Sequence, residues 1–297
     1  MYPYNTNLVL FSLLFKVDFD TGSSDLFLPG PDCDSTCSGH TTYDTSSSST
    51  AEDQGQTFSL SYGDGSTVSG EVYQDTVTIA GLTATSQAVG AASQYSSGFE
   101  SSNFPPDGLM GMAFKEISEY NSDPVFQTLV DQGQVSDAVF GFTLLDSGAE
   151  LYLGGTDSSK FSGDLTYTPV TTQGYWQINF GGITTGSDSD FKKRDDSISG
   201  IVDTGTTLIY GDSSTVSSIY SSISGSQDAS STAGSGTYTI PCDSVPDNLS
   251  VVIEGVEFPI SADTFSLGPI SSGSSDCLGG LVADDSMGKI TFLSVEN

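Results

Sequence analysis

The sequence predicts an all-β chain built from two related lobes. Three observations carry this. The stretch Val17-Asp18-Phe19-Asp20-Thr21-Gly22-Ser23-Ser24-Asp25-Leu26-Phe27 has an echo in Gly200-Ile201-Val202-Asp203-Thr204-Gly205-Thr206-Thr207-Leu208-Ile209, with Asp203 lying 183 residues after Asp20. That distance is too long for a short solenoid repeat and suits two lobes that each supply one equivalent loop. The 34 glycines and many Ser-Thr clusters argue for short strands and frequent turns. Apolar and polar residues alternate on both sides of Gly63-Asp64-Gly65, a hairpin pattern. A length of 297 residues allows about two domains, and 36% hydrophobic residues suffice for a sizeable core.

The paired stretches say what the loops can do. In each, the apolar run reads as a buried strand. Asp-Thr-Gly is turn chemistry, in which Gly permits a tight bend and close backbone approach. Each copy thus sets a carboxylate at a strand tip among hydroxyls and backbone N–H groups. If the two tips face each other, Asp20 and Asp203 cannot both ionise and must share a proton. One is then a base and the other an acid, and a water between them can attack an amide carbonyl. Proton-sharing pairs of this kind are the established pattern of aspartic proteases. On these motifs the chain resembles the pepsin-like aspartic proteases, fungal ones in its details, over roughly residues 17–282.

The resemblance implies an all-β, bilobal fold with a few short helices and the active site in a cleft between the lobes. Residues 1–145 would form the first lobe and 146–297 the second. Asp20 and Asp203 would be catalytic. Ser23 and Thr206 would hydrogen-bond the outer carboxylate oxygens, Thr21 and Thr204 would bond across the floor, and Gly22 and Gly205 would complete the loops. Tyr62, 42 residues after Asp20, stands where the family's flap tyrosine belongs. Tyr62, Gly63 and Asp64 would close over substrate, and Asp64 would favour a basic residue on the amino side of the cut bond. Phe99, Phe104 and Leu109 would line an apolar side-chain pocket. The four cysteines allow three connectivities, and the spacing of Cys33, Cys37 and His40 is also one that three metal ligands can have. The resemblance favours the disulfides Cys33–Cys37 and Cys242–Cys277, hence an oxidising, extracellular setting. It implies protein or peptide substrates, a monomer, and neither cofactor nor metal.

Taken in order, Leu8 to Phe15 is an apolar run too short to span a membrane. It has no basic residue before it and no small-residue cleavage site after it, so it reads as a strand-like substitute for the family's opening strand or as a gene-model artefact. Phe58, Leu60 and Tyr62 alternate into the hairpin, and Val68 through Ile79 continue as strand. Pro106-Asp107-Gly108-Leu109-Met110-Gly111 resembles the segment that braces the Asp20 strand. A short helix is predicted from Asp123 as N-cap and Pro124 in the first turn, with Phe126, Leu129 and Val130 as its buried stripe and Gly133 as its stop. Residues 139–145 and 150–154 read as strands. Trp176, the only tryptophan, fits a core position and also the far side of the cleft. Residues 186–197 read as a polar loop holding Lys192, Lys193 and Arg194. Asp212 caps a second helix with Val216, Ile219, Tyr220 and Ile223 inward and Gly225 at its end. Asn248-Leu249-Ser250 is a glycosylation motif if the chain is secreted.

Asp and Glu number 38 against 7 Lys and Arg, a formal charge of −31. Nucleic acids and anionic membranes need basic surface and are excluded as partners. The repulsion within such a chain eases as carboxylates protonate in acid. Three departures from the family pattern set expectations of their own. Phe27 replaces a tryptophan whose N–H can bond the flap tyrosine, so Tyr62 should be less firmly held. The family's opening strand is missing. After Cys277 the chain offers only Met287-Gly288 as half of a second brace, so the Asp203 strand should have unpaired backbone groups. On these grounds the chain reads as truncated at both ends. A non-catalytic or defective peptide binder is the alternative function; a Ser/Gly-rich wall protein leaves the paired loops unexplained.

Overall fold

The computed structural model describes residues 6–10, 13–145, 147–184, 198–286 and 290–294. Lys192, Lys193 and Arg194, the rest of the loop at 186–197, and Met287-Gly288 lie outside them. The chain divides into two compact units, Met1–Ser162 and Gly163–Asn297. Both are built mostly of strands.

In the first unit, β1 (Thr6–Leu10), β2 (Leu13–Asp20), β3 (Leu26–Pro29), β4 (Glu52–Ser61), β5 (Thr67–Ile79), β6 (Leu82–Tyr95) and β7 (Gly108–Gly111) make one sheet in the order β1-β2-β7-β3-β6-β5-β4. The opening apolar run therefore supplies strands. β1 pairs antiparallel with β2, from Thr6 opposite Val17 to Leu10 opposite Leu13, and also with β5. Alternation explains the choice: Phe15, Val17 and Phe19 of β2 point into the core while Leu13 and Leu14 at the tip stay exposed. β2 runs parallel to β7, placing Asp20 opposite Gly111. A Cβ on Gly111 would sit 2.4 Å from the Ser24 backbone, so only glycine lets the brace come this close. The loop after β3 is tied down by buried Asp75, which accepts from Tyr43 Oη (2.8 Å), Ser48 Oγ (2.9 Å) and Thr50 Oγ1.

Helix α1 (Val125–Asp131) begins one residue later than its sequence signals suggest. Pro124 is the N-cap, with an extended ψ of 158°, and Asp123 makes no cap bond. The Asp123 carboxylate instead meets Lys115 Nζ at 3.2 Å, the ion pair found among the described residues. The inward stripe shifts accordingly: Val125 and Leu129 are buried, whereas Phe126 is half-buried and packs on Phe140 (ring centroids 4.9 Å). Gly133, at φ +65°, ends the helix as expected. β8 (Phe140–Thr143) and β9 (Glu150–Leu153) form a separate hairpin in this unit.

In the second unit, β10 (Val170–Thr172), β11 (Gln177–Phe180), β12 (Gly182–Thr184), β13 (Ile198–Asp203) and β14 (Ile209–Gly211) lead to helix α2 (Ser213–Ser221). After it come β15 (Gln227–Asp228), β16 (Tyr238–Pro241), β17 (Ser250–Ile253), β18 (Val256–Pro259), α3 (Ala262–Phe265), β19 (Ser266–Pro269), β20 (Asp276–Gly279), β21 (Leu281–Ala283) and β22 (Ile290–Ser294). The sheet that carries Asp203 has the order β10-β11-β13-β22-β14-β21. The expectation of an unpaired Asp203 strand is thereby corrected. β13 is flanked by β11 antiparallel and by β22 parallel, with Asp203 opposite Ser294. The reason lies in residues 290–294, Ile-Thr-Phe-Leu-Ser, whose β-branched and aromatic residues suit a strand and whose backbone supplies the missing partners.

The two units repeat one plan. β3 pairs parallel with β6 and antiparallel with β7; β14 pairs parallel with β21 and antiparallel with β22. Helix α2 forms as its sequence predicts: Asp212 accepts from Ser214 N–H and Thr215 N–H, and Val216, Ile219, Tyr220 and Ile223 are buried. Trp176 is half-buried in the turn before β11, and its carbonyl accepts from Val202 N–H (3.1 Å). The disulfides Cys33–Cys37 and Cys242–Cys277 both form, with Cα separations of 6.0 and 5.0 Å.

Candidate active site

β2 ends at Asp20, whose side chain is 5% exposed. The turn that follows folds back on it: Gly22 N–H donates to Oδ1 (2.8 Å) and Ser23 Oγ–H donates to Oδ2 (2.5 Å). The backbone of this loop is held from the brace side. Met112 N–H donates to the Asp20 carbonyl and Ala113 N–H to the Ser23 carbonyl, both at 2.8 Å. In the second unit β13 ends at Asp203, also 5% exposed. Gly205 N–H donates to its Oδ1 (2.8 Å) and Thr206 Oγ1–H to its Oδ2 (2.5 Å). Two loops far apart in sequence thus give their carboxylates the same donors on the same oxygens. Each carboxylate keeps one strand-tip position, and its backbone-facing and hydroxyl-facing oxygens are fixed in orientation. Thr21 is buried beneath the first turn, and Thr204 is half-buried in the second.

Above the first loop, the hairpin β4–β5 turns through Tyr62 to Ser66. Tyr62 N–H donates to the Ser66 carbonyl (2.9 Å) and Gly65 N–H to the Tyr62 carbonyl (3.0 Å), with Gly65 at φ +85°. Asp64 is engaged by its neighbour: Ser66 N–H and Oγ–H donate to its two oxygens at 2.8 and 2.7 Å. Gly63 lies in the turn with open space around it. The Tyr62 ring packs against Phe27 (6.3 Å) and Phe99 (5.2 Å). Burial pushes its hydroxyl well above its ordinary value, and the nearby charges of Asp20 and Asp25 push it further. Ser23 eases that shift slightly, but its proton goes to Asp20. Tyr62 Oη, itself buried, has no hydrogen bond of acceptable geometry among the described residues. This agrees with Phe27, a ring without a donor, standing beside it.

Phe99, Phe104 and Leu109 are buried in the cluster that also holds Phe27 and Tyr95. Phe99 packs edge to face on both Tyr62 (5.2 Å) and Phe104 (5.1 Å), and little of the three cluster residues is open to solvent. Cys33 and Cys37 are consumed by their disulfide, and His40 Nε2 meets the Phe99 carbonyl at 2.9 Å, so the metal-ligand reading of these three is set aside. A cavity of about 520 Å³ opens at the end of α2, lined among others by Ser217, Tyr220, Asp228 and Tyr238. No residue of either Asp-Thr-Gly loop lines it.

One residue of this neighbourhood escaped the sequence reading. Asp25, five residues after Asp20 and 4% exposed, accepts from Ser118 Oγ–H (2.6 Å), Glu119 N–H (2.8 Å) and Tyr120 N–H (3.4 Å). Burial raises its carboxyl above the ordinary 3.8; the three donors oppose that shift without cancelling it, and the charge of Glu119 adds to it. The signal that could have exposed it is the mismatch within the repeat: Leu208 occupies the equivalent place after Asp203.

This fold and these twin loops define a class. Residues 12–293 match the family model described as eukaryotic aspartyl protease, and the chain belongs to that family. It has the family's all-β, bilobal fold. It is 43% identical over 272 residues to the aspartic protease of Phaffia rhodozyma, covering 90% of this chain and 65% of that protein. It is 40% identical to penicillopepsin-3 of Penicillium janthinellum, covering 97% of this chain and 72% of that one. Endothiapepsin of Cryphonectria parasitica is 39% identical over 280 residues, covering 92% and 65%. The chain therefore spans about two thirds of the length of these relatives.

Proposed function

We propose that this chain is an aspartic endopeptidase that hydrolyses peptide bonds of proteins in acid. The observation that carries the reading is the duplicated geometry at Asp20 and Asp203, two buried carboxylates with the same backbone and hydroxyl donors on the same oxygens. In this reading the two act as one dyad sharing one proton. The ionised partner takes a proton from water as the water attacks the scissile carbonyl, the protonated partner hydrogen-bonds the developing oxyanion, and the C–N bond then breaks as the newly protonated carboxyl gives its proton to the leaving amine. No covalent intermediate forms. Ser23 and Thr206 fix the outer oxygens, and Thr21 and Thr204 brace the loops from below. Tyr62, Gly63 and Asp64 cover the substrate, and Phe99, Phe104 and Leu109 back the apolar subsite next to Tyr62. Residues 1–145 supply the first half of the machinery and 146–297 the second.

The same reading places the protein outside the cell as a monomer. Two disulfides support an oxidising compartment. Among the described residues no helix is long and apolar enough to cross a membrane. Both loops retain their full donor set, which argues against the non-catalytic peptide binder. The test is hydrolysis of an unfolded protein by the purified chain at acidic pH, with and without pepstatin. Cleavage that pepstatin stops is expected. Absence of cleavage by folded, soluble chain would overturn the reading.

A further inference from the structure

Asp25 breaks the internal repeat. At the two catalytic-loop carboxylates the donors match, but the residue five places after the first aspartate is a buried carboxylate, and the one five places after the second is Leu208. A carboxylate removed from water is costly unless it is bonded. Here it is bonded to one short segment, residues 118–120, through one hydroxyl and two backbone N–H groups. That segment follows the brace, and the brace already grips the Asp20 loop. Gly111 N–H donates to the Asp25 carbonyl (2.9 Å), Ser24 Oγ–H to the Phe114 carbonyl (2.5 Å) and Tyr120 Oη–H to the Leu26 carbonyl (3.2 Å). The bonds to backbone carbonyls do not depend on pH. The three to the Asp25 side chain do, because a carboxylate accepts more strongly than a carboxylic acid.

We propose that Asp25 is a positioning residue for the Asp20 loop: its carboxylate clamps residues 118–120 onto the start of β3, and the clamp slackens when that carboxylate takes up a proton. The role rests on the protease reading given above for its kinetic consequence, though the clamp itself does not. The titratable groups facing Asp25 are Glu119, whose charge opposes its ionisation, and the buried hydroxyls of Tyr120 and Tyr62, both of which its charge pushes upward. Burial raises the Asp25 carboxyl above 3.8, so the clamp titrates at higher pH than an ordinary aspartate would.

The experiment follows the backbone amides of Glu119 and Tyr120 by NMR in the full chain as pH is lowered from neutral. Both should titrate together with a midpoint above 3.8. The titration should persist in Glu119→Gln, which removes the side chain that could mimic it, and vanish in Asp25→Asn. Flat amides in the wild type, or a titration lost in Glu119→Gln, would overturn the clamp. In kinetics, Asp25→Asn should lower kcat by about tenfold with KM changed by less than about twofold, since it displaces Asp20 rather than substrate contacts. Its acid limb should also lose one ionisation. A kcat and pH profile identical to the wild type would overturn the positioning role. Should the wild type cleave nothing, the protease reading fails, while the amide titration still decides the clamp.

Discussion

At Asp20 and Asp203 the outer oxygen is held by a hydroxyl from three residues on, Ser23 in one loop and Thr206 in the other. A hydrogen bond to a charged group contributes about 1.5–3 kcal/mol. Ser23→Ala and Thr206→Ala should each lower kcat by roughly 10- to 100-fold while leaving KM nearly unchanged; steady-state rates on one peptide at acidic pH check this. Asp25 yields a stability prediction with a definite sign. Its folded value lies above the unfolded one, so its contribution to stability is complete below 3.8 and is lost as pH rises through the folded value. Asp25→Asn should therefore gain stability relative to the wild type on going from strongly acidic to neutral pH, as read by denaturant midpoints. The local clamp moves the other way, tightening as the carboxyl ionises. The donors that hold Asp20 and Asp203 were legible in the sequence because each sits within a short motif. Asp25 was not, because its partner Ser118 lies 93 residues further on and only the fold brings them together.

Among the elements, helix α2 and the turn between β4 and β5 emerged as read. Asp212 before α2 and Gly65 in the hairpin each act within a few residues, so the sequence around them suffices. The start of α1 was displaced because Asp123 has a competing partner in Lys115, and Pro124 already has the extended backbone that a cap requires. The strand at 290–294 was missed for a different reason. It lacks the brace motif, and nothing local announces that a parallel pairing with β13 awaits it. Long-range parallel pairing leaves little local trace in sequence. The cap of α2 is directly testable. Burial raises the Asp212 carboxyl, but the bonds from Ser214 and Thr215 outweigh it and hold the group below 3.8. Asp212→Ala should cost about 1 kcal/mol near neutral pH. The difference should shrink as pH falls through the folded value, where the wild-type carboxylate is itself protonated. Thermal melts of both chains across pH measure it.

For the molecule as a whole, a formal charge of −31 dominates the response to solvent. At neutral pH the carboxylates repel one another, and salt shortens the reach of that repulsion to about 3 Å at 1 M. Adding salt should raise Tm at neutral pH and do much less near pH 4, where many carboxylates are protonated. The same charge fits a protein that works in acid, as a proton-sharing dyad also requires. The proposed chemistry needs Asp20 and Asp203, 183 residues apart, together. It is tested most directly by comparing wild type, Asp20→Asn and Asp203→Asn for hydrolysis of one peptide substrate in acid. Each single change, in a chain that still folds, should abolish cleavage as completely as the other. Cleavage retained by either variant at a rate near that of the wild type would contradict it.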